Sequence, residues 1–281
     1  MSDFSFTCYG VRGSYPVAGA EFLKYGGNTS CLLCSTPDTN LILDAGTGII
    51  NLGRQLLAGR NTDREIHIFI SHYHMDHIQG LPFFLPLYEP GCRVVIHAPP
   101  NPDSDGGSPL IHLFSSPLSP IGWESIKADV EFCGLKAGNV VPLSKTTRVE
   151  TAFSATHPRD GIWLFRVGVN ESSLVYATDV EFPLGMDAGI QRMCRETDVL
   201  VHDAQYLDNE YFDTSRPRKG FGHSTVSMAA RDAVALDAAR LFLFHYDPGH
   251  TDEILESNLE HCRTQFPSSF LARENQCIEI G

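Results

Sequence analysis

Five short apolar runs recur along the chain, and each ends in polar residues of the kind that bind metals. Each run is rich in β-branched or aromatic residues, which is typical of a β-strand. The runs are EIHIFISH, ending at His72; VETAFSATH, ending at His157; SLVYATD, ending at Asp179; DVLVHDA, containing His202 and Asp203; and RLFLFHYD, containing His245 and Asp247. We therefore predict strands that carry candidate ligands at their carboxyl ends.

Candidate helices lie between these runs. The segment STVSMAARDAVALDA is one of them, and Ser224 or Thr225 is its candidate N-cap. Strands that alternate with helices indicate an α/β sheet, and the ligand sites of such sheets lie beyond the strand ends. The polar residues therefore lie where this fold class places a functional site.

The chain has 281 residues, enough for a sizeable core, and the apolar pattern resumes on both sides of the loop-like stretch at residues 98–109. We therefore expect one domain, residues 1–281, with that stretch as a surface insertion. No apolar run approaches the ~18 residues of a membrane span, and the first residues do not resemble a signal peptide. A cytoplasmic protein without a membrane partner is the expectation.

The formal net charge is −13, so the average surface would repel a polyanion such as duplex DNA. Extended nucleic acid is therefore not an expected partner, whereas a small substrate remains compatible with this charge. Cys31 and Cys34 form the only C-x-x-C among eight cysteines. Residues three apart on a strand point to opposite faces, so we expect ordinary reduced thiols, with a redox or structural metal role as the alternative.

The strongest chemical signal is the stretch ISHYHMDHIQG, residues 70–80, which contains an H-x-H-x-D-H pattern. Alternation along the chain predicts His72 and His74 on one side, and Asp76 and His77 on the other. One loop could then begin two adjacent metal sites, each completed from distant strands that offer His157, Asp179 and His245. Imidazole and carboxylate ligands suit zinc, and manganese or iron is chemically acceptable. The alternative is a polar loop with histidines present by chance.

In its ordered landmarks the chain resembles the metallo-β-lactamase superfamily. The landmarks are LILDAGTG at residues 41–48, the H-x-H-x-D-H pattern, and the later residues His157, Asp179 and His245. This resemblance implies a four-layer αββα sandwich with two divalent metal ions at one edge. It implies that His72, His74 and His157 bind one ion, that Asp76, His77 and His245 bind the other, and that Asp179 bridges them together with a hydroxide, the expected nucleophile.

The same resemblance separates subfamilies. Di-iron relatives that reduce oxygen have Glu where this chain has His74, which favours hydrolysis over redox chemistry. Lactamases with a cysteine ligand need Cys where Asp179 stands.

A second stretch resembles tRNase Z and its small phosphodiesterase relatives. It contains His202-Asp203-Ala204 and then the Gly-His-Ser-Thr element at residues 222–225. This likeness implies that His223 contacts the substrate phosphate or protonates the leaving oxygen, and that Asp203 orients it. Asp203 replaces the usual Glu and is one methylene shorter, which leaves the pairing with His223 open. The predicted catalytic residues are thus Asp76, His223 and Asp203, whereas His202 is expected to be structural.

One departure from tRNase Z changes the functional expectation. In that enzyme a long RNA-clamping arm lies between the third metal motif and the bridging Asp. Here His157 and Asp179 are only 22 positions apart, and the intervening sequence predicts a strand turn. We therefore predict a dinuclear phosphodiesterase for small phosphodiesters such as cyclic nucleotides. The alternatives are a ribonuclease of tRNase Z type and a non-catalytic sensor or binding module. Relatives dimerise, so the resemblance also implies a homodimer.

Several further residues receive weaker predictions. Asp44 is a candidate carboxylate behind a ligand histidine. Asp247 and His250 are candidate rim residues, and a structural or solvated role is favoured for Arg12 and Lys24. Whether the cations that precede His223 bind substrate phosphate or form a solvated loop stays open; they are Arg216, Arg218 and Lys219. Four histidines have no ligand context: His67, His97, His112 and His261.

Overall fold

The computed structural model describes residues 3–59, 65–100, 109–115, 117 and 119–281. Most of the predicted surface loop at residues 98–109 lies outside these residues. In the described residues the strands are β1 (Ser5–Gly10), β2 (Cys31–Ser35), β3 (Asn40–Leu43), β4 (Ile66–Phe69), β5 (Arg93–Ala98), β6 (Asp129–Gly134), β7 (Val140–Pro142), β8 (Thr147–Ser154), β9 (Ile162–Val169), β10 (Ser172–Ala177), β11 (Val199–Asp203), β12 (Leu241–Phe244), β13 (Ser269–Leu271) and β14 (Cys277–Glu279).

The helices lie between the strands along the chain and are mostly short. The α-helices are α1 (Gly48–Ala58), α2 (Met75–Ile78), α3 (Ala188–Cys194), α4 (Asp208–Tyr211), α5 (Val226–Ala235) and α6 (Asp252–Gln265). Short 3-10 helices span Ala20–Phe22, Leu81–Phe83, Leu85–Tyr88, Pro109–Phe114 and Trp123–Ser125. None of the helices among the described residues has the length and apolar composition that a membrane crossing requires.

The strands form two seven-stranded sheets with matching construction. The first sheet has the order β14-β1-β2-β3-β4-β5-β6, and the second has the order β13-β12-β11-β10-β9-β8-β7. Strands β3 to β6 are parallel in the first sheet, and strands β10 to β13 are parallel in the second. The carboxyl ends of β3 and β4 therefore lie at one edge of the first sheet, and those of β10, β11 and β12 at one edge of the second.

A continuous apolar layer holds the two sheets face to face. Phe6 of β1 contacts Phe242 of β12 edge to face at 5.0 Å, and Phe69 of β4 contacts Phe165 of β9 at 5.4 Å. A second apolar cluster joins the outer face of the first sheet to buried residues of α1, and α5 and α6 contact strands of the second sheet. The predicted αββα sandwich is confirmed.

Local predictions agree with the observed elements. The five predicted strands correspond to β4, β8, β10, β11 and β12. Thr225 is the N-cap of α5, and its side chain accepts a hydrogen bond from the amide of Met228 at 3.2 Å. Cys31 and Cys34 face opposite sides of β2 and are free thiols, and burial raises the pKa of both. They are therefore poor candidates for redox or metal chemistry.

A buried cation organises the chain next to β12. Arg12 has no exposed surface, and it donates to the carbonyls of Gly26 at 2.8 Å and His250 at 2.7 Å. Its guanidinium lies 3.8 Å from Asp252 and above the ring of Tyr246 at 5.6 Å. Lys24 instead forms an exposed ion pair with Glu256. Arg12 is therefore structural, as predicted, because it joins three segments that are distant in sequence.

Replacement of Arg12 by Met should lower the free energy of unfolding by about 2–6 kcal/mol, because two carbonyl groups lose their donor at roughly 1–3 kcal/mol each. Urea denaturation measures this difference. The matched control is Lys24→Met, which removes a solvent-exposed ion pair and should change the unfolding midpoint little. Equal effects of the two substitutions would show that Arg12 does not stabilise this region.

Candidate metal centre

The segment after β4 brings four candidate ligands together within six residues. His74 has extended backbone angles and precedes the single turn of α2, which contains Asp76 and His77. His72 and His74 join one group of ligands, and Asp76 and His77 join another. The predicted division into two pairs is therefore present, although a helical turn rather than an extended strand presents the second pair.

The first cluster consists of His72, His74 and His157. One ring nitrogen from each residue lies within 4.8 Å of the others. Nε2 of His157 is 3.0 Å from Nδ1 of His74, and the ring centres of His72 and His157 are 4.8 Å apart. His157 follows β8, whereas the other two follow β4, so the two sheets jointly build this cluster.

The second cluster consists of Asp76, His77, Asp179 and His245, all of them buried. Nε2 of His77 lies 3.1 Å from Nε2 of His245. Oδ2 of Asp76 lies 3.2 Å from Nε2 of His245 and 3.4 Å from Nε2 of His77. His245 and Asp179 follow the parallel strands β12 and β10, so this cluster also combines both sheets.

Asp179 faces both clusters. Its Oδ1 lies 3.2 Å from Nε2 of His77 and 3.2 Å from Nε2 of His245. Its Oδ2 lies 3.7 Å from Nε2 of His72 and 3.8 Å from Nε2 of His157. The carboxylate therefore directs one oxygen to each cluster, which is the arrangement needed to bridge two cations.

Three site residues that follow strands have left-handed backbone angles. The φ angles are 62° at Asp44, 53° at Asp179 and 61° at His245. Non-glycine residues rarely adopt this region, and each such residue costs of order 1–3 kcal/mol. The surrounding sheets must supply this energy. This left-handed backbone conformation turns the chain sharply where each strand ends.

Asp44 fixes the orientation of His77. Its Oδ2 lies 2.7 Å from Nδ1 of His77 and accepts from the hydroxyls of Ser71 at 2.8 Å and Tyr176 at 2.9 Å. Its Oδ1 accepts from the amide of Ser71 at 2.8 Å. A proton on Nδ1 of His77 satisfies this contact, so Nε2 is left as the ligand atom. The geometry agrees with the role predicted for Asp44.

The clusters differ in their tendency to hold protons. Burial lowers the pKa of His72, His74 and His157, so these rings favour the neutral form that binds metals. Burial alone would also lower the pKa of His77 and His245, but the negative charges of Asp179 and other carboxylates have the larger effect. They hold the pKa of His77 well above its usual range and raise that of His245 to about 10.

These residues fit divalent metal ions. Among the described residues, the buried Nε2 of His72 has no hydrogen-bond partner, although it points toward Asp179. Buried polar atoms rarely lack a partner, so the lone pair of this nitrogen is available to bind a cation. A divalent cation at the first cluster would accept that lone pair, and a second cation at the other cluster would replace the protons that the carboxylates favour on His77 and His245.

His223 and Asp203 form a pair beside the second cluster. Nδ1 of His223 lies 2.8 Å from Oδ2 of Asp203 and 3.9 Å from Oδ2 of Asp179. Asp203 also accepts from the amides of Ser224 at 2.8 Å and Asp179 at 3.1 Å. The shorter side chain of Asp203 therefore still reaches His223. His202, by contrast, is directed toward Asp232 and lies 3.4 Å from it, as expected of a structural residue.

Two neighbours of the centre were not predicted from the sequence. The amide of Ser14 donates to Oδ2 of Asp76 at 2.6 Å, and a Cβ at position 13 would overlap the ring of His245. Gly13 is therefore required for the close approach of this segment to His245. The stretch GVRGS at residues 10–14 contains Gly13, but the sequence alone does not identify His245 as the group that this glycine approaches. The buried carboxylate of Glu181 was also not predicted.

The three cations that precede His223 have different environments. The guanidinium of Arg218 lies 5.3 Å above the ring of Tyr206, whose centre is 5.7 Å from that of His223. Arg218 has no ion-pair partner among the described carboxylates. Lys219 lines a separate cavity beside Tyr211 and Arg231, and Arg216 is exposed. Of the three, only Arg218 has a described contact that leads toward the site.

The remaining predicted residues lie outside the clusters. His250 is buried and its Nε2 lies 3.1 Å from Glu210, whereas Asp247 accepts from the amide of Gly249 at 2.7 Å. A rim role for these two stays a prediction. Of the four histidines without ligand context, none belongs to a candidate metal cluster of the described residues: His67, His97, His112 and His261.

The sequence is similar to a known protein family and to individual curated proteins. The sequence profile of the beta-lactamase superfamily domain matches residues 39–246. Ribonuclease Z of Picrophilus torridus is 25% identical over 325 aligned positions, which cover 97% of this chain and 94% of that protein.

Solved structures resemble the fold over its whole length. The metallo-beta-lactamase fold protein YhfI from Bacillus subtilis has a TM-score of 0.70 at 15% identity, over 98% of this chain and 99% of its own. A diphosphatase from the PhnP family has a TM-score of 0.69 at 21% identity, over 98% of this chain and 97% of its own. At these identities the likeness establishes the fold.

Replacement of Asp179 by Ala should leave a folded protein that retains less bound metal than the unaltered chain. The reason is that one carboxylate serves both clusters, so its loss removes an anionic ligand from each. Elemental analysis of dialysed protein, with circular dichroism as the control for folding, measures this effect. Unchanged metal content would mean that Asp179 does not hold metal.

Proposed function

Because the chain is a hydrolase that belongs to the beta-lactamase superfamily, we propose that it is a dinuclear metal-dependent phosphodiesterase for small phosphodiesters such as cyclic nucleotides. In this proposal His72, His74 and His157 hold one ion, Asp76, His77 and His245 hold the other, and Asp179 binds both. Zinc suits these ligands, with manganese or iron as alternatives. Two such ions would make a water molecule acidic enough to be a nucleophile near neutral pH and would stabilise negative charge on phosphoryl oxygens.

The pair formed by His223 and Asp203 carries the proposal. Oδ2 of Asp203 accepts a hydrogen bond from Nδ1 of His223 at 2.8 Å. When both ring nitrogens of His223 carry a proton, Nε2–H is therefore free to donate to a substrate. The side chain is about one-tenth exposed, which lets it reach a bound molecule while most of it stays fixed. An alkoxide leaving group needs a proton at the moment of bond cleavage, and His223 is suited to donate it as a general acid.

Cleavage of a phosphodiester with an alkoxide leaving group needs such a donor more than cleavage of a thioester does, because a thiolate leaves without protonation. Arg218 packs on Tyr206 beside His223. The chain as a whole has a net charge of −13, so this cation next to the site favours an anionic substrate. The PhnP-family diphosphatase, a neighbour in fold, is consistent with phosphoryl chemistry.

The ribonuclease alternative has support in sequence similarity to ribonuclease Z. Strands β9 and β10 form a short antiparallel hairpin between His157 and Asp179, without room for a protruding arm. This short hairpin and the net charge of −13 favour a small substrate over transfer RNA. A non-catalytic sensor would not need the His223–Asp203 pair.

A substrate panel on metal-loaded protein tests the proposal. It should contain bis-p-nitrophenyl phosphate, cyclic nucleotides, precursor transfer RNA, a β-lactam and a thioester. Turnover of the small diesters supports the proposal. Turnover of precursor transfer RNA alone would favour the ribonuclease, and no turnover of any substrate would favour the binding module.

Replacement of His223 by Ala should preserve metal content and lower kcat on diesters by ~10²–10⁴-fold, the usual contribution of a general acid. The loss should be larger for an alkoxide leaving group such as a ribose hydroxyl than for p-nitrophenolate, which barely needs a proton. Steady-state kinetics on both substrates measure the difference. His261→Ala, an exposed histidine outside the clusters, is the control and should match the unaltered protein. An equal, small loss on both substrates would exclude His223 as the acid.

A further inference from the structure

Glu181 is a buried carboxylate close to the centre that belongs to neither metal cluster. It lies two residues after Asp179 and is only 3% exposed. Its oxygens accept from the hydroxyl of Tyr211 at 2.5 Å and from the amides of Gly220 at 2.8 Å and Gly222 at 2.8 Å. Within the described part of the chain, no cation lies at ion-pair distance. A buried carboxylate without a cation is costly unless hydrogen bonds satisfy it.

All of these donors belong to one segment. Tyr211 is the last residue of α4, and Gly220 and Gly222 lie just before His223. Residues 212–221 form no helix or strand, and most of them are exposed. One carboxylate therefore joins the two ends of an irregular, exposed loop. This loop carries Arg218 and ends at His223.

The backbone before His223 is fixed at a demanding geometry. Gly222 has a φ of 86°, and a Cβ at this position would overlap Nδ1 of His157. The amide of Gly222 donates to Glu181, and its carbonyl accepts from Nδ1 of His157 at 3.2 Å. Glu181 and His157 thus hold Gly222 from two sides.

The backbone after His223 is held independently. The amide of Ser224 donates to Asp203, and its hydroxyl donates to the carbonyl of Val180 at 2.6 Å. The position of His223 therefore depends on contacts on both sides, and those on its amino-terminal side come from Glu181 and His157.

We propose that Glu181 is a positioning residue, which holds residues 220–222 so that His223 meets both Asp203 and the substrate's leaving oxygen. This inference rests on the proposed function, in which His223 is the general acid. Glu181 itself touches neither substrate nor metal ligand atoms. Its removal should leave the ligand clusters intact but release the amino-terminal side of His223.

The kinetic test compares Glu181→Ala with the unaltered, zinc-loaded protein. A misplacement of about 1 Å can cost about 10²-fold, so we expect kcat on an alkoxide-leaving diester to fall about 10–100-fold. Because p-nitrophenolate needs little protonation, kcat on bis-p-nitrophenyl phosphate should fall less than about 3-fold. Metal content should not change. Tyr211→Phe, which removes one donor and retains both glycine amides, is the matched control and should lose little on either substrate.

A double variant separates positioning from general stability. If Glu181 acts through His223, Glu181→Ala should cause no further loss of kcat in a protein that already carries His223→Ala, because residues acting as a unit are not additive. Equal losses on both substrates, or fully additive losses in the double variant, would overturn the proposal. Should the Ala variant fold poorly, Glu181→Gln keeps the shape but only one acceptor oxygen, and an intermediate loss is expected.

A readout without turnover keeps this inference distinct from the proposed function. In zinc-loaded protein with ¹⁵N-labelled histidine, the Nδ1 signal of His223 reports its hydrogen bond to Asp203. We expect Glu181→Ala to shift this signal and Tyr211→Phe to leave it in place. An unshifted signal would overturn the role of Glu181 whatever the substrate is. A shifted signal in a protein that hydrolyses no phosphodiester would retain that role and refute only the proposed reaction.

Discussion

Asp179 presents one carboxylate oxygen to each of two groups of buried histidines, and the organisation of the centre depends on this contact. The distances of 3.2 Å on one side and 3.7–3.8 Å on the other place a single negative charge between both clusters. So many polar groups can be buried together only if their charges are balanced. Protons on His77 and His245 achieve this in part, and two divalent cations would achieve it fully while also using the unpaired Nε2 of His72.

The fold delivers these groups through the direction of its strands. Each sheet has a parallel part. The carboxyl ends of β3 and β4 therefore lie at one edge of the first sheet, and those of β10, β11 and β12 lie at one edge of the second sheet. The apolar layer between the sheets, with Phe6 on Phe242 and Phe69 on Phe165, brings the two edges together. Left-handed turns at Asp44, Asp179 and His245 then direct the side chains into the centre. Core packing therefore supports strained positions that would not persist in a short peptide.

Much of this arrangement could be predicted from the sequence, because ligand-type residues at the ends of apolar runs mark strand termini at one edge of an α/β fold. The H-x-H-x-D-H pattern, the hairpin between His157 and Asp179, and Thr225 as an N-cap were local signals of this kind. The contacts of Ser14, Arg12 and Glu181 could not be predicted in the same way. They join segments far apart in the chain, and a lone serine, arginine or glutamate has no pattern that identifies its partner. The pairing of Asp203 with His223 was also open, since it depends on a backbone approach that compensates for the shorter side chain.

Anomalous diffraction from crystals of metal-loaded protein tests most directly whether two metal ions share Asp179. Data collected at the absorption edge of the bound metal locate each ion without reference to activity. We predict two peaks about 3.5–4 Å apart, one at His72, His74 and His157 and the other at Asp76, His77 and His245, with Asp179 between them. A single peak, or two peaks that leave Asp179 without a contact, would contradict this prediction.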